Sequence, residues 1–152
     1  MIRHFVMEPV GNTLLPTPPK GTSSDVVLST DLSRFNEIDY DERSELISDE
    51  LKLLMEMYLP RYDFKPVVYL DKEKDEQIVF WQFKPPVYED FHAMFRSDGI
   101  VSSITFENTN APIVFTVRSP KGKRSIVVRI AVAESALRRG ILGVKFTTVT
   151  AE

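Results

Sequence analysis

The stretch IVFWQF, residues 78–83, is apolar on both faces for most of its length. Successive side chains of a strand point to opposite sides, so a strand of this kind has to be covered from two directions and belongs at the centre of a sheet. A central strand needs neighbours. The surrounding RYDFKPVVYLDKEKDEQIVFWQF supplies the first one as a hairpin: Val67 to Leu70, a charged turn from Asp71 to Glu76, then Gln77 to Phe83, stopped by Pro85 and Pro86. A cover is offered just upstream. Residues 39–60, DYDERSELISDELKLLMEMYLP, carry Ile47, Leu51, Leu54, Met55 and Tyr58 at the spacing of one helical face, widened by Leu46, Leu53 and Met57. Asp39 or Asp41 is the expected cap, Pro60 the stop, and Glu45, Asp49, Lys52 and Glu56 the solvated side.

The rest of the chain reads as further strands. Residues 1–10 form a first strand ended by Pro9 and Gly11, and the proline-rich NTLLPTPPKGTSSD that follows is a loop with little to pair or pack. YEDFHAMF is expected as a short helix or turn, and SDGI as a turn. Strands are expected at Ile100 to Phe106, Ile113 to Arg118 and Ser125 to Ala131, the last two showing core-facing alternation through Ile113, Phe115, Val117 and Ile126, Val128, Ile130. Val132 to Arg139 makes about two helical turns, Gly140 ends them, and Gly143 precedes a final strand, Val144 to Val149. The fold class is therefore α+β, a mostly antiparallel sheet packed by one long amphipathic helix and a short C-terminal helix. One domain, 1–152, with a proline-rich loop at about 11–25, fits the common domain size.

Charge is unevenly placed. Residues 118–152 hold 8 Lys or Arg against 2 Asp or Glu, while residues 1–117 hold 11 against 20, within a net charge of -3. An acidic body with a basic end can mark a charged partner, and it can equally reflect two regions that lie side by side and neutralise each other. The chain has no cysteine, which removes disulfides and thiolate metal sites, and no apolar run reaches the roughly 20 residues of a membrane span. The first residues, MIRHFVMEPVGN, lack the apolar core of a signal peptide, so a cytoplasmic protein is expected.

Reactive groups are sparse. His4 sits in an expected strand and His92 between Phe91 and Phe95, with no metal-ligand spacing. No Gly-x-Ser-x-Gly occurs, and SPKGKRS has Val117 where a Walker loop needs its first glycine. The expectation is a protein without catalytic residues, cofactor or metal. The acids from Glu37 to Glu50 face only Arg43 in sequence, a field suited to a basic surface. From that run Asp41, Glu42, Glu45 and Asp49, and from the last turn of the C-terminal helix Arg138 and Arg139, are the candidate partner-binding residues. The same arginines also have a structural reason to sit where they do, opposite the negative end of the helix dipole. Nucleic-acid binding or regulation through the basic C-terminal third is the alternative, although no zinc finger, helix-turn-helix or RNP-like motif accompanies it.

Two segments, 60–85 and 125–147, resemble immunity proteins of bacterial polymorphic toxin systems. The matching residues are Phe80, Trp81 and Phe83 in the centre and Glu134, Leu137, Gly140, Gly143, Val144 and Phe146 near the end. The resemblance implies a non-catalytic protein that binds and neutralises a cognate toxin domain, with no fixed contact residues to carry across.

Overall fold

The computed structural model describes residues 3–11, 15–18, 26–106 and 110–151. These form eleven strands and two α-helices: β1 (His4–Pro9), β2 (Val26–Leu28), β3 (Tyr40–Asp41), β4 (Leu46–Ser48), α1 (Asp49–Tyr58), β5 (Lys65–Asp71), β6 (Glu76–Gln82), β7 (Phe91–Phe95), β8 (Val101–Phe106), β9 (Val114–Arg118), β10 (Arg124–Arg129), α2 (Ile130–Arg138) and β11 (Val144–Ala151). A six-stranded sheet has the order β7-β8-β11-β1-β10-β9 and a five-stranded sheet the order β2-β5-β6-β4-β3. Pairing is antiparallel except at β8 with β11 and β2 with β5. The IVFWQF segment lies on β6, third of five strands, as its two apolar faces require.

Strand alternation sorts the core into three clusters. Met7, Ile126, Val128 and Val144 on one face of the large sheet meet Ile47 and Phe83 of the small sheet, with Leu51, Leu54 and Met55 of α1 and Val132 and Ala136 of α2 between them. The opposite face of the large sheet carries Val6, Phe115, Val117, Val127 and Val149 into a second cluster. There the chain closes on itself: the Tyr88 amide donates to the Thr116 carbonyl and the Thr116 amide to that of Pro86, so the segment leading into β7 also flanks β9. Phe80, Val67 and Tyr69, on the other side of the small sheet, pack on Leu15, Leu32, Phe35 and Ile38.

The long helix expected over 39–60 is a hairpin in its first half. Tyr40 and Asp41 pair with Ile47 and Leu46 in a hairpin, and β4 then joins β6, Ile47 opposite Trp81. Glu45 takes a left-handed conformation, φ 55°, which turns the chain where a helix would have continued. Leu46 and Ile47 are both fully buried, on opposite faces of the sheet, a placement that neighbouring helical residues 100° apart cannot reach. The helix begins only at Asp49, capped by Ser48, whose Oγ accepts the Leu51 amide 3.2 Å away, and not by Asp39 or Asp41. With ten residues it barely exceeds the nine of α2. Leu53 and Met57, expected to widen the buried face, are exposed. Lys52, expected in solvent, lies over the Trp81 and Phe64 rings.

Two smaller expectations also change. The FHAMF segment is the edge strand β7, not a helix or turn. Within the proline-rich loop, Leu15 is fully buried and Tyr69 donates to the Pro16 carbonyl, so this part does pack. Residues 12–14 and 19–25 of that loop lie outside the described residues.

Gly140, φ 68°, ends α2, and Gly143 sits where a side chain has no room: a Cβ there would come 2.2 Å from the Glu37 carbonyl oxygen and 2.6 Å from the Asp39 amide and carboxylate. Gly143→Ala is therefore expected to cost about 1–3 kcal/mol, since well-packed sites absorb an extra methyl only by moving backbone. Urea unfolding checks this, and an unchanged midpoint would show that the approach is slack. A second expectation concerns acid. Arg96, together with the Ile100 amide, holds the Asp98 carboxyl down to about 2 from 3.8. A carboxyl with a depressed folded-state value stabilises fully above its unfolded value and loses that contribution as pH falls through the folded one. Asp98→Asn should thus narrow its stability gap to the wild type as pH drops from about 4 toward 2, read by thermal unfolding across that range; a constant gap would contradict it.

Candidate functional site

The acids that stand together in sequence separate in space, because the β3–β4 hairpin sends them to different sides. Asp41 turns inward. It is 2% exposed and accepts the amides of Leu15 at 2.8 Å and Ser44 at 3.2 Å, so its carboxylate ties the proline-rich loop to the hairpin turn. Glu42 and Glu45 open onto a cleft of about 480 Å³ between the two sheets, lined also by Tyr40, Lys84, Lys123 and Arg124. There they meet the basic end of the chain: Glu42 pairs with Lys123 at 2.5 Å and Glu45 with Arg124 at 3.7 Å and Lys84 at 3.9 Å. Burial, followed by the negative charge of Glu42, Glu45 and Asp41, pushes the Tyr40 hydroxyl above the ordinary tyrosine range, so it stays a neutral phenol. The charge asymmetry of the sequence is in this cleft an internal match.

A second depression, about 620 Å³, lies across the hairpin at the N-terminal end of α1. Its charged lining comprises Glu37, Asp39, Asp49 and Glu50 with Arg34, and its apolar lining includes Val10, Ile78, Val79 and Leu142. Asp39 forms its floor. One carboxylate oxygen accepts the Gly143 amide at 2.7 Å and the other the Ser48 hydroxyl at 2.6 Å, fixing the α2–β11 loop to the cap of α1. Asp49, on the rim, accepts the Trp81 indole N–H at 3.0 Å.

Arg138 and Arg139 lie at the far end of α2. Arg138 pairs loosely with Glu134 at 3.6 Å, and Arg139 reaches α1, its Nη2 standing 2.9 Å from Met57 Sδ. The Tyr58 hydroxyl at the end of α1 meets Ala131 and Ser135 in α2, while Gly140 and Leu142 border the depression at the start of α1. Of the six expected residues, Asp41, Glu42 and Glu45 share the inter-sheet cleft, whereas Asp49, Arg138 and Arg139 surround the helix pair.

Sequence reasoning passed over the apolar part of this second region. Leu53, Met57, Leu137 and Leu142 are 49%, 63%, 67% and 75% exposed, four of the eight large hydrophobic side chains in solvent among the described residues. Leu142 gave no signal that separates it from Ile141, which also lies between Gly140 and Gly143 and is buried. Leu53 and Met57 gave none, since they extend a helical stripe that elsewhere is core.

His4 is buried against Phe106 and Phe115, and His92 is exposed on β7. No group of three or more His, Asp or Glu among the described residues is placed to hold a metal ion, and no helix among them is long and apolar enough to cross a membrane. The chain matches no family model and no curated protein.

The two classes of acid should respond differently to substitution. Asp41→Ala strands two amides and is expected to cost about 1–3 kcal/mol. Glu42→Gln or Glu45→Gln, which remove partly exposed ion pairs, should cost less than about 1 kcal/mol and progressively less with added salt. Chemical denaturation at low and high salt separates them; equal losses would mean that the cleft pairs carry structural weight.

Proposed function

We propose that this chain is a non-catalytic immunity protein that binds and neutralises a cognate bacterial toxin domain. The observation that carries the reading is the surface around the helix pair. Leu53 and Met57 on α1, Leu137 on α2 and Leu142 just beyond it present apolar bulk on regular structure, with Asp49 and Arg138 of opposite sign beside them. Protein partners are held by a few desolvated apolar anchors, while surrounding charges set approach and register. A surface of this make-up favours a protein over a polyanion. The basic third, in addition, directs Lys123, Arg124 and Arg138 into pairs with Glu42, Glu45 and Glu134, which competes with phosphate binding.

The resemblance to toxin-system immunity proteins supplies the kind of partner. Most of the residues that carry it have work in the fold: Phe80 and Phe83 fill two clusters, Gly140 ends α2, and Gly143 makes room for Asp39. Leu137 and Glu134 are the exceptions, both exposed on α2.

The test uses a toxin domain encoded directly beside this chain. A one-to-one complex should form in isothermal titration, and Leu53→Ser combined with Met57→Ser should weaken it about tenfold or more without loss of fold. Mobility shifts of DNA or RNA that vanish with salt, with no complex to the toxin, would replace the reading with the nucleic-acid one.

A further inference from the structure

The depression at the start of α1 differs from the inter-sheet cleft in one decisive respect. In the cleft, Glu42 and Glu45 are answered by Lys84, Lys123 and Arg124 of the same chain. Among the described residues around the second depression, four carboxylates, Glu37, Asp39, Asp49 and Glu50, stand against the single guanidinium of Arg34. Asp39 is spent on the Gly143 amide and the Ser48 hydroxyl, which leaves Glu37, Asp49 and Glu50 exposed on the rim. Beneath the rim the walls are apolar: Ile78 and Val79 half-buried, Val10 48% and Leu142 75% exposed. Leaving apolar walls of this kind in water is unfavourable, and an acidic rim over them selects the sign of whatever covers them.

We propose that this groove docks a basic, apolar-anchored polypeptide segment of a protein partner: aliphatic side chains enter between Leu142 and the Ile78–Val79 wall, and lysines or arginines reach Glu37 and Glu50. The inference rests on reading the chain as a protein-binding inhibitor and names the chemistry of the surface it covers. The occupant is a segment with alternating cationic and aliphatic residues, because a purely cationic one would leave the walls wet and a purely apolar one would leave the carboxylates without counter-charge. The groove is ready in advance. Asp39 locks its floor between the α1 cap and the α2–β11 loop, so binding need not order the backbone first.

Trp81 makes the test direct. It is the only tryptophan of the chain, and its indole N–H bonds the rim residue Asp49. A short synthetic peptide alternating leucine and lysine should shift Trp81 emission saturably, with affinity falling as salt rises. Glu37→Lys with Glu50→Lys should abolish the shift, and Leu142→Ser should weaken binding about tenfold. Glu42→Lys, in the other cleft, should leave it unchanged. All four positions are at least partly exposed, and circular dichroism confirms the fold of each variant. The same peptide with glutamate for lysine should not bind, nor should one with serine for leucine. Equal binding of either control, indifference to the groove variants, or self-association that buries the groove and excludes the peptide would each overturn the proposal. The toxin separates this from the functional reading: a complex that ignores the groove variants sinks the groove alone, whereas peptide binding with no toxin complex keeps the groove and sinks the immunity reading.

Discussion

The carboxylate of Asp39 is the joint on which the arrangement turns. Its two oxygens receive the Ser48 hydroxyl and the Gly143 amide, and the backbone carbonyl of Asp39 receives the Ser48 amide at 2.9 Å. Ser48 in turn caps α1. One residue thus joins the end of the β3–β4 hairpin and the first turn of the helix that follows it to the loop that feeds β11, about a hundred positions further along the chain. Charge-assisted hydrogen bonds of this kind are stronger than neutral ones. The small sheet and the large sheet are held in one relation by this joint and by the apolar cluster beneath it, in which both sheets and both helices take part.

From that joint follows the division of the acidic run. With the hairpin pinned, Asp41 is committed to the interior, and Glu42 and Glu45 face the basic loop between β9 and β10. Glu37, Asp49 and Glu50 are left on the far side. The negative field that appears continuous along the sequence is therefore one buried structural carboxylate, one neutralised cleft and one open rim. The last of these, beside the exposed apolar residues of the helix pair, is the surface we propose for binding.

Much of the fold was legible because it is local. The β5–β6 hairpin, the strands at 101–106, 114–118 and 124–129, and the strand–helix–strand ending all announce themselves within short windows of alternation, turn residues and glycine. The 39–48 region was misread for a physical reason. Ile47, Leu51, Leu54 and Met55 satisfy a helical period equally well whether Ile47 belongs to the helix or to a strand, and what decides is its pairing with Trp81, thirty-four positions away, together with the left-handed Glu45. Tertiary pairing outweighed local periodicity. β7 was hidden similarly, since its residues are only half-buried at alternate positions and carry little strand pattern. The candidate site was legible in residue type but not in grouping, because the sequence gives no sign of which acids the hairpin sends to which side.

The central claim is that this chain acts by covering another protein with the surface around α1 and the loop after α2. Amide hydrogen exchange on a complex with the proposed toxin partner tests it most directly. Added protection should fall at residues 36–39, 49–57 and 137–143, with the 119–124 loop unchanged. Protection confined to the 119–124 loop or to β7 and β8, with the helix-pair region exchanging as in the free protein, would contradict it.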